Sequence, residues 1–255
     1  MSVIVPNDQL GAYEGEIVAR VKPVAYVPAD GDFNIGQGGC TDGKYFYIVL
    51  ENQKVEAEGG YGQNSHYGKI YKLDAKTLDL VQVSDPLPID HGNDMTYNCK
   101  KGLLVVSHNA PNYTYLSYVD PATLQIVETV KDNQLKMYAV DYHPAADRYV
   151  VGISYGYDLG ILDGELGFVA RYPGVNTGFI KQGIACDDNY LYFLQFRKNC
   201  VVLYDWDGKY LRTIDIEGTE EEPEAMFCLD GKWYMNSYVA HHQGSRLYEM
   251  EFVAE

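Results

Sequence analysis

Basic residues are scarce in this chain: 20 Lys and Arg stand against 36 Asp and Glu, leaving a formal charge of -16 at neutral pH. Phosphate backbones are gripped by clustered cations, and no local basic stripe offsets the deficit, so nucleic acid is not expected as a partner. The acidity otherwise serves to keep the molecule in solution. No apolar run approaches the roughly 20 residues that a membrane-spanning helix requires, which argues against a membrane partner as well. The opening segment Met1 to Asp8 has no basic stretch and only a short apolar one, unlike an export signal. The expectation is a soluble, cytoplasmic chain as written, with an extracellular setting left open if the chain has been trimmed at its start. The five cysteines, Cys40, Cys99, Cys186, Cys200 and Cys228, are an odd number without close spacing. That pattern fits reduced, mostly buried thiols and neither a disulfide framework nor a zinc knuckle. Phosphate loops, dinucleotide fingerprints and nucleophile elbows are absent too. With no Pro/Gly/Ser linker and no shift in composition, residues 1–255 read as one domain.

What the chain does have is 24 tyrosines and 25 glycines, a composition of aromatic strands and tight turns. A repeat organises them. The segment Gln37-Gly38-Gly39-Cys40-Thr41-Asp42-Gly43-Lys44-Tyr45-Phe46-Tyr47 aligns without a gap on Gln182-Gly183-Ile184-Ala185-Cys186-Asp187-Asp188-Asn189-Tyr190-Leu191-Tyr192. Related segments begin at Asp94, Asp141 and Glu224, and the mean spacing of about 47 residues lies between the periods of the common propeller repeats. Downstream in most copies a strand meets an acidic turn, as at Leu73-Asp74, Val119-Asp120-Pro121, Leu162-Asp163-Gly164 and Tyr204-Asp205. Aspartate side chains bond the backbone ahead of them and so suit such turns.

Each copy therefore reads as four antiparallel strands, and the whole as an all-β, five-bladed β-propeller with blades near 34–83, 91–130, 138–172, 179–215 and 221–255. The last copy ends one strand short. Residues 16–26 are expected to supply the missing strand and so remove exposed edges.

In general form the repeat resembles the β-propellers built on a strand, Asp-rich turn, strand signature. The first copy carries a narrower likeness. Ile35-Gly36-Gln37-Gly38, then Leu50-Glu51-Asn52 and Gly60-Tyr61-Gly62-Gln63-Asn64-Ser65, resemble the plant-type glutaminyl cyclotransferases. That resemblance implies a five-bladed propeller that cyclises N-terminal glutamine and gives Glu51 the role of proton-transfer residue. It covers about one blade, the segment after Glu51 is longer than in that family, and the family's later blade motifs are not found.

Propeller inner strands converge on an axis, so Gln37, Asp94, Asp141, Gln182 and Glu224 are expected to form a polar ring. The plainest account of such a ring is bonding to ordered water and neighbouring backbone. A functional account makes it the binding site for a small polar or carbohydrate-like molecule, a glycan included, with His91, Asn93, His108 and Arg197 as further ligand contacts. Arg197 would meet a substrate carboxylate. Other candidates at strand ends are Asn109, Tyr155, Gln195 and Asn236. Asp94, Asp141 and Glu224 also offer hard oxygen ligands for calcium, although no EF-hand spacing appears and no other cofactor is implied. Two alternatives stand beside the binder. One is an acid/base enzyme working through Glu51, either a glutaminyl cyclotransferase or a sugar-acting lyase or hydrolase. The other is a platform for protein partners, which needs only an exposed apolar face.

Overall fold

A computed structural model describes residues 3–52, 67–131, 135–154 and 156–254. Strands dominate, and among the described residues the only helical element is a single 3-10 turn at Asn7–Gln9.

Two strands, β1 (Val3–Ile4) and β2 (Ile17–Pro28), precede the repeats. The first group is β3 (Phe33–Thr41), β4 (Tyr45–Asn52), β5 (Gly68–Asp74) and β6 (Leu80–Val83). The next comprises β7 (Asp94–Asn98), β8 (Leu103–Ser107), β9 (Tyr115–Val119) and β10 (Ile126–Lys131). It is followed by β11 (Met137–His143), β12 (Arg148–Ile153), β13 (Leu159–Asp163) and β14 (Phe168–Tyr172). Then come β15 (Ile180–Cys186), β16 (Tyr190–Phe196), β17 (Cys200–Asp205) and β18 (Tyr210–Glu217). The chain closes with β19 (Glu222–Leu229), β20 (Lys232–Val239) and β21 (Gly244–Ala254).

Within each group successive strands pair antiparallel. β21 is the last strand among the described residues, and β2 lies antiparallel along it from Ile17↔Ala254 to Pro28↔Gly244. A short parallel ladder, Asp215↔Val18 to Glu217↔Arg20, and a single bridge between Gly244 and Ile35 join neighbouring groups at this seam. The first strands of the groups neighbour one another in cyclic order: β3 packs beside β7, β7 beside β11, β11 beside β15, β15 beside β19, and β19 beside β3.

The turn chemistry explains why the repeat was visible. Asp42 Oδ1 accepts from the backbone N–H groups of Lys44 and Tyr45, each at 2.8 Å, while Tyr47 donates its hydroxyl to Oδ2 at 2.7 Å. Asp187 does the same for Asn189, Tyr190 and the Tyr192 hydroxyl. Each aspartate therefore closes a hairpin and clamps a tyrosine of the second strand. That tyrosine then fills the space between sheets: Tyr47 packs with Val49, Met95, Leu104 and Val106, and Tyr192 with Leu194, Met226 and Trp233. The core is thus divided among the interfaces between successive sheets.

Four of the first strands carry a register shift near their beginning: between Gly36 and Gly39, Met137 and Ala139, Lys181 and Ile184, and Pro223 and Ala225. A bulge of this kind turns side chains out of the regular alternation, and here it marks one end of the axis. Gly183 sits in one of them, where an added Cβ would come within 2.4 Å of the Glu224 carbonyl oxygen on the neighbouring strand. Backbone cannot yield as a flexible side chain can. Gly183→Ala is expected to cost about 1–3 kcal/mol, read as a lower denaturation midpoint with an unchanged denaturant slope.

Candidate functional site

Strand alternation places Glu51. Along β4, Tyr47 and Val49 face the β7 group, whereas Ile48 and Leu50 pack on the opposite side with Phe227 and Leu247. Glu51 continues the first face, two residues beyond Val49, and meets the connection between β6 and β7. There Gly92, at φ 55°, brings the backbone so close that an added Cβ would sit 2.8 Å from Val49. Only glycine allows that approach, and it delivers Asp90 and His91 beside Glu51.

The Glu51 side chain is 1% exposed, and its Oε1 has no hydrogen-bond partner; His91 Nε2 stands 3.5 Å away. Burial pushes the carboxyl up to about 9, and the neighbouring Asp90 charge adds to the shift. Glu51 is consequently a neutral, proton-bearing acid at physiological pH. Glu224, on β19, is held well above the ordinary carboxyl range by burial first and then by Glu222, Glu51 and Asp94. Glu222 is raised by burial as well, against the hydrogen bond from Gln182 and the charge of Arg197.

Behind Glu51 lies a row of polar groups. His108 Nδ1 meets Asp90 Oδ2 at 2.5 Å, His108 Nε2 meets Ser117 Oγ at 2.7 Å, and Ser117 meets Thr129 Oγ1 at 2.8 Å. Asn112 Nδ2 donates to both oxygens of Asp90 at 3.1 Å. The order Asp, His, Ser is that of an acyl-transfer triad, yet the Ser117 hydroxyl on β9 is buried and shared between His108 and Thr129. The row supports Asp90 instead.

Asp94 begins β7 and is buried on the axis. Its Oδ2 accepts from Val140 N at 3.2 Å and Ile184 N at 3.0 Å, and its Oδ1 from Met95 N at 3.0 Å. One carboxyl group thus ties three sheets. Asn93 donates to the Tyr138 carbonyl at 2.9 Å and accepts from Asn109 Nδ2 at 2.7 Å.

Of the residues named from sequence, Gln37, Glu51, His91, Asn93, Asp94, Gln182 and Glu224 fall at the end of the first strands where the chain crosses between sheets. Asp141 departs from its assumed equivalence with Asp94. Val140, the residue before it, meets the Asp94 carboxylate, while Asp141 accepts from Thr96 Oγ1 at 2.6 Å and Cys186 N at 2.7 Å. It lines a cavity of about 210 Å³ at the other end of the first strands, with Cys40, Thr96, Cys186 and Cys228. The cause is the bulge in β11, which lies three residues ahead of Asp141, whereas Gln182 lies inside its own. His108 is buried in the Asp90 row rather than turned to a ligand. Arg197 borders a cavity of about 350 Å³ with Lys198, Asn199 and Asp215. Tyr155 and the segment 60–65 lie outside the described residues. The calcium set does not converge, because backbone and hydroxyl donors engage the Asp94 and Asp141 oxygens; among the described residues no three His, Cys, Asp or Glu side chains are arranged to hold a metal. Glu222 and Ser117 were missed. Neither carried a signal in the sequence: the bulge between Pro223 and Ala225 breaks the alternation that would relate Glu222 to Glu224, and Ser117 is an ordinary strand residue.

No protein-family model matches this sequence, and none of the curated proteins does. Solved structures do match. The glutaminyl cyclase of Myxococcus xanthus superposes with a TM-score of 0.65 at 14% identity, covering 94% of this chain and 100% of that one. A chain of a nidogen/laminin complex superposes with a TM-score of 0.55 at 8% identity, covering 80% of this chain and 73% of that one. Both neighbours are β-propellers, and the chain is an all-β protein of propeller-like fold. At these identities the likeness concerns the fold alone.

Proposed function

We propose that the chain is a five-bladed β-propeller whose crossover-side mouth binds a peptide with N-terminal glutamine and closes that residue into a lactam. The cyclic order of the first strands supports the architecture, with blades near 34–83, 91–130, 138–172, 179–215 and 221–255, the last completed by 16–26. The observation that carries the activity is Glu51: a buried, neutral carboxyl with one unpartnered oxygen, beside His91 and Asp90. A group of that kind holds at neutral pH a proton that it can give to a leaving group, because burial disfavours its charged form.

The reaction balances without oxidant or cofactor. The α-amino nitrogen attacks the side-chain amide carbon, forming the ring C–N bond. The amine proton passes to Glu51, and Glu51 gives a proton to the departing amide nitrogen as the old C–N bond breaks and ammonia leaves. Gln37 and the side-chain oxygen of Gln182 are suited to the substrate's amide groups, while Asn93 is held by Tyr138 and Asn109.

The test is ammonia release from glutaminyl peptides, with an N-acetylated peptide as control. The expected result is ammonia from the free amine only; none from saturating glutaminyl peptide overturns the catalytic reading. The mixed donors and acceptors of the same mouth favour a second reading, in which a small polar or carbohydrate-like molecule is bound without turnover. It requires a thermal shift with such a ligand and no product.

A further inference from the structure

Glu51 cannot act first as a base while its own proton stays in place. Burial keeps that proton on the carboxyl at physiological pH. Something must take it up as the amine proton arrives and give it back afterwards.

His91 has the geometry to do so. Its Nδ1 lies 3.1 Å from the Ala110 carbonyl oxygen. A carbonyl only accepts, so Nδ1 carries the hydrogen and the neutral ring turns the Nε2 lone pair towards Glu51. Nε2 is 3.5 Å from Oε1 of Glu51, a separation that tightens readily when a ligand fills a site. The His91 side chain is 19% exposed against 1% for Glu51, so the ring also links the buried carboxyl with solvent. Among the described residues, Asp90, from the same segment, and Glu224, from β19, are titratable groups that interact with Glu51.

The geometry points to His91 as the positioning residue that receives the Glu51 proton while the carboxyl acts as a base and returns it when the carboxyl acts as an acid. The inference rests on the reading of Glu51 given above. In the first step the amine nitrogen bonds to the amide carbon, its proton goes to the second Glu51 oxygen, and the Oε1 proton goes to Nε2, leaving an imidazolium. In the second the carboxyl protonates the departing nitrogen, the C–N bond breaks, and Nε2 returns its proton to Oε1. Enzyme groups end as they began.

Two measurements decide it. Kinetically, His91→Ala is expected to lose turnover by a factor of about 10²–10⁴ and to regain part of it when imidazole is added to the buffer, which a purely structural role would not allow. Undiminished turnover in His91→Ala overturns the inference. Independently of any substrate, nuclear magnetic resonance of isotope-labelled histidine in the unaltered protein should show His91 with hydrogen on Nδ1 and an Nε2 signal that shifts near pH 9, where Glu51 titrates. That shift should vanish in Glu51→Gln. Hydrogen on Nε2 instead, or the same shift in Glu51→Gln, overturns it. If glutaminyl peptides give no ammonia, the reaction reading falls, and the resonance measurement still judges the proton link.

Discussion

Glu51→Gln should abolish nearly all turnover of a glutaminyl peptide, by a factor of about 10²–10⁴, and at the same time make the protein more stable at neutral and alkaline pH. The amide fills the same volume and cannot carry the proton. Stability moves the other way because the folded carboxyl titrates at about 9 while its ordinary value is 4.5. A carboxyl raised on folding favours the folded state fully below its unfolded value, and that advantage is lost as pH rises towards the folded one. The wild-type chain should therefore lose about 1.4 kcal/mol per pH unit through this window. By pH 7 the loss is about 3 kcal/mol, which the glutamine variant avoids. Denaturation midpoints measured across pH 5–9 for both proteins check the sign. A variant that tracks the wild type at every pH would mean that Glu51 is not the buried neutral acid described here, and its proposed role would go with it.

Asp94→Ala is expected to be the most damaging single change to the fold. It strips the acceptor from three backbone N–H groups, those of Met95, Val140 and Ile184, at a point where three sheets meet. Buried donors left without partners, together with the cavity, cost about 3–5 kcal/mol. Asp94→Asn should cost distinctly less, because its carbonyl oxygen can take the place of Oδ2 and leave only the Met95 contact compromised. Equal losses in the two variants, by equilibrium denaturation, would show that the cost lies in volume rather than in the hydrogen bonds. Glu51 and Asp94 thus differ in what they face: one carboxyl leaves an oxygen without a partner, the other is engaged by backbone N–H groups of three strands.

Residues whose role is local could be read without coordinates. Asp42 and Asp187 close hairpins through atoms two and three residues away, so their spacing from Tyr47 and Tyr192 is the same in both copies and visible in the text of the chain. The strand supplied by 16–26 was legible for a related reason: a group lacking a fourth strand and an unassigned strand elsewhere leave unpaired edges unless they meet. Glu51 was singled out through a resemblance confined to one stretch of sequence, and the fold likeness to a glutaminyl cyclase arose separately from the whole chain.

The sequence by itself determined the kind of element and the aspartate turns that join the strands, because turns, alternation and burial pattern depend on neighbours a few residues apart. Only the tertiary structure decided what each polar group faces. A bulge ahead of Asp141 sends it to the far cavity while Gln182, within its own bulge, stays at the mouth. Burial turned Glu51 into an acid and put His91 beside it, whereas His108, from the same list of candidates, became a support for Asp90. Such outcomes depend on desolvation and on contacts between residues far apart in the chain, and neither is written in local spacing.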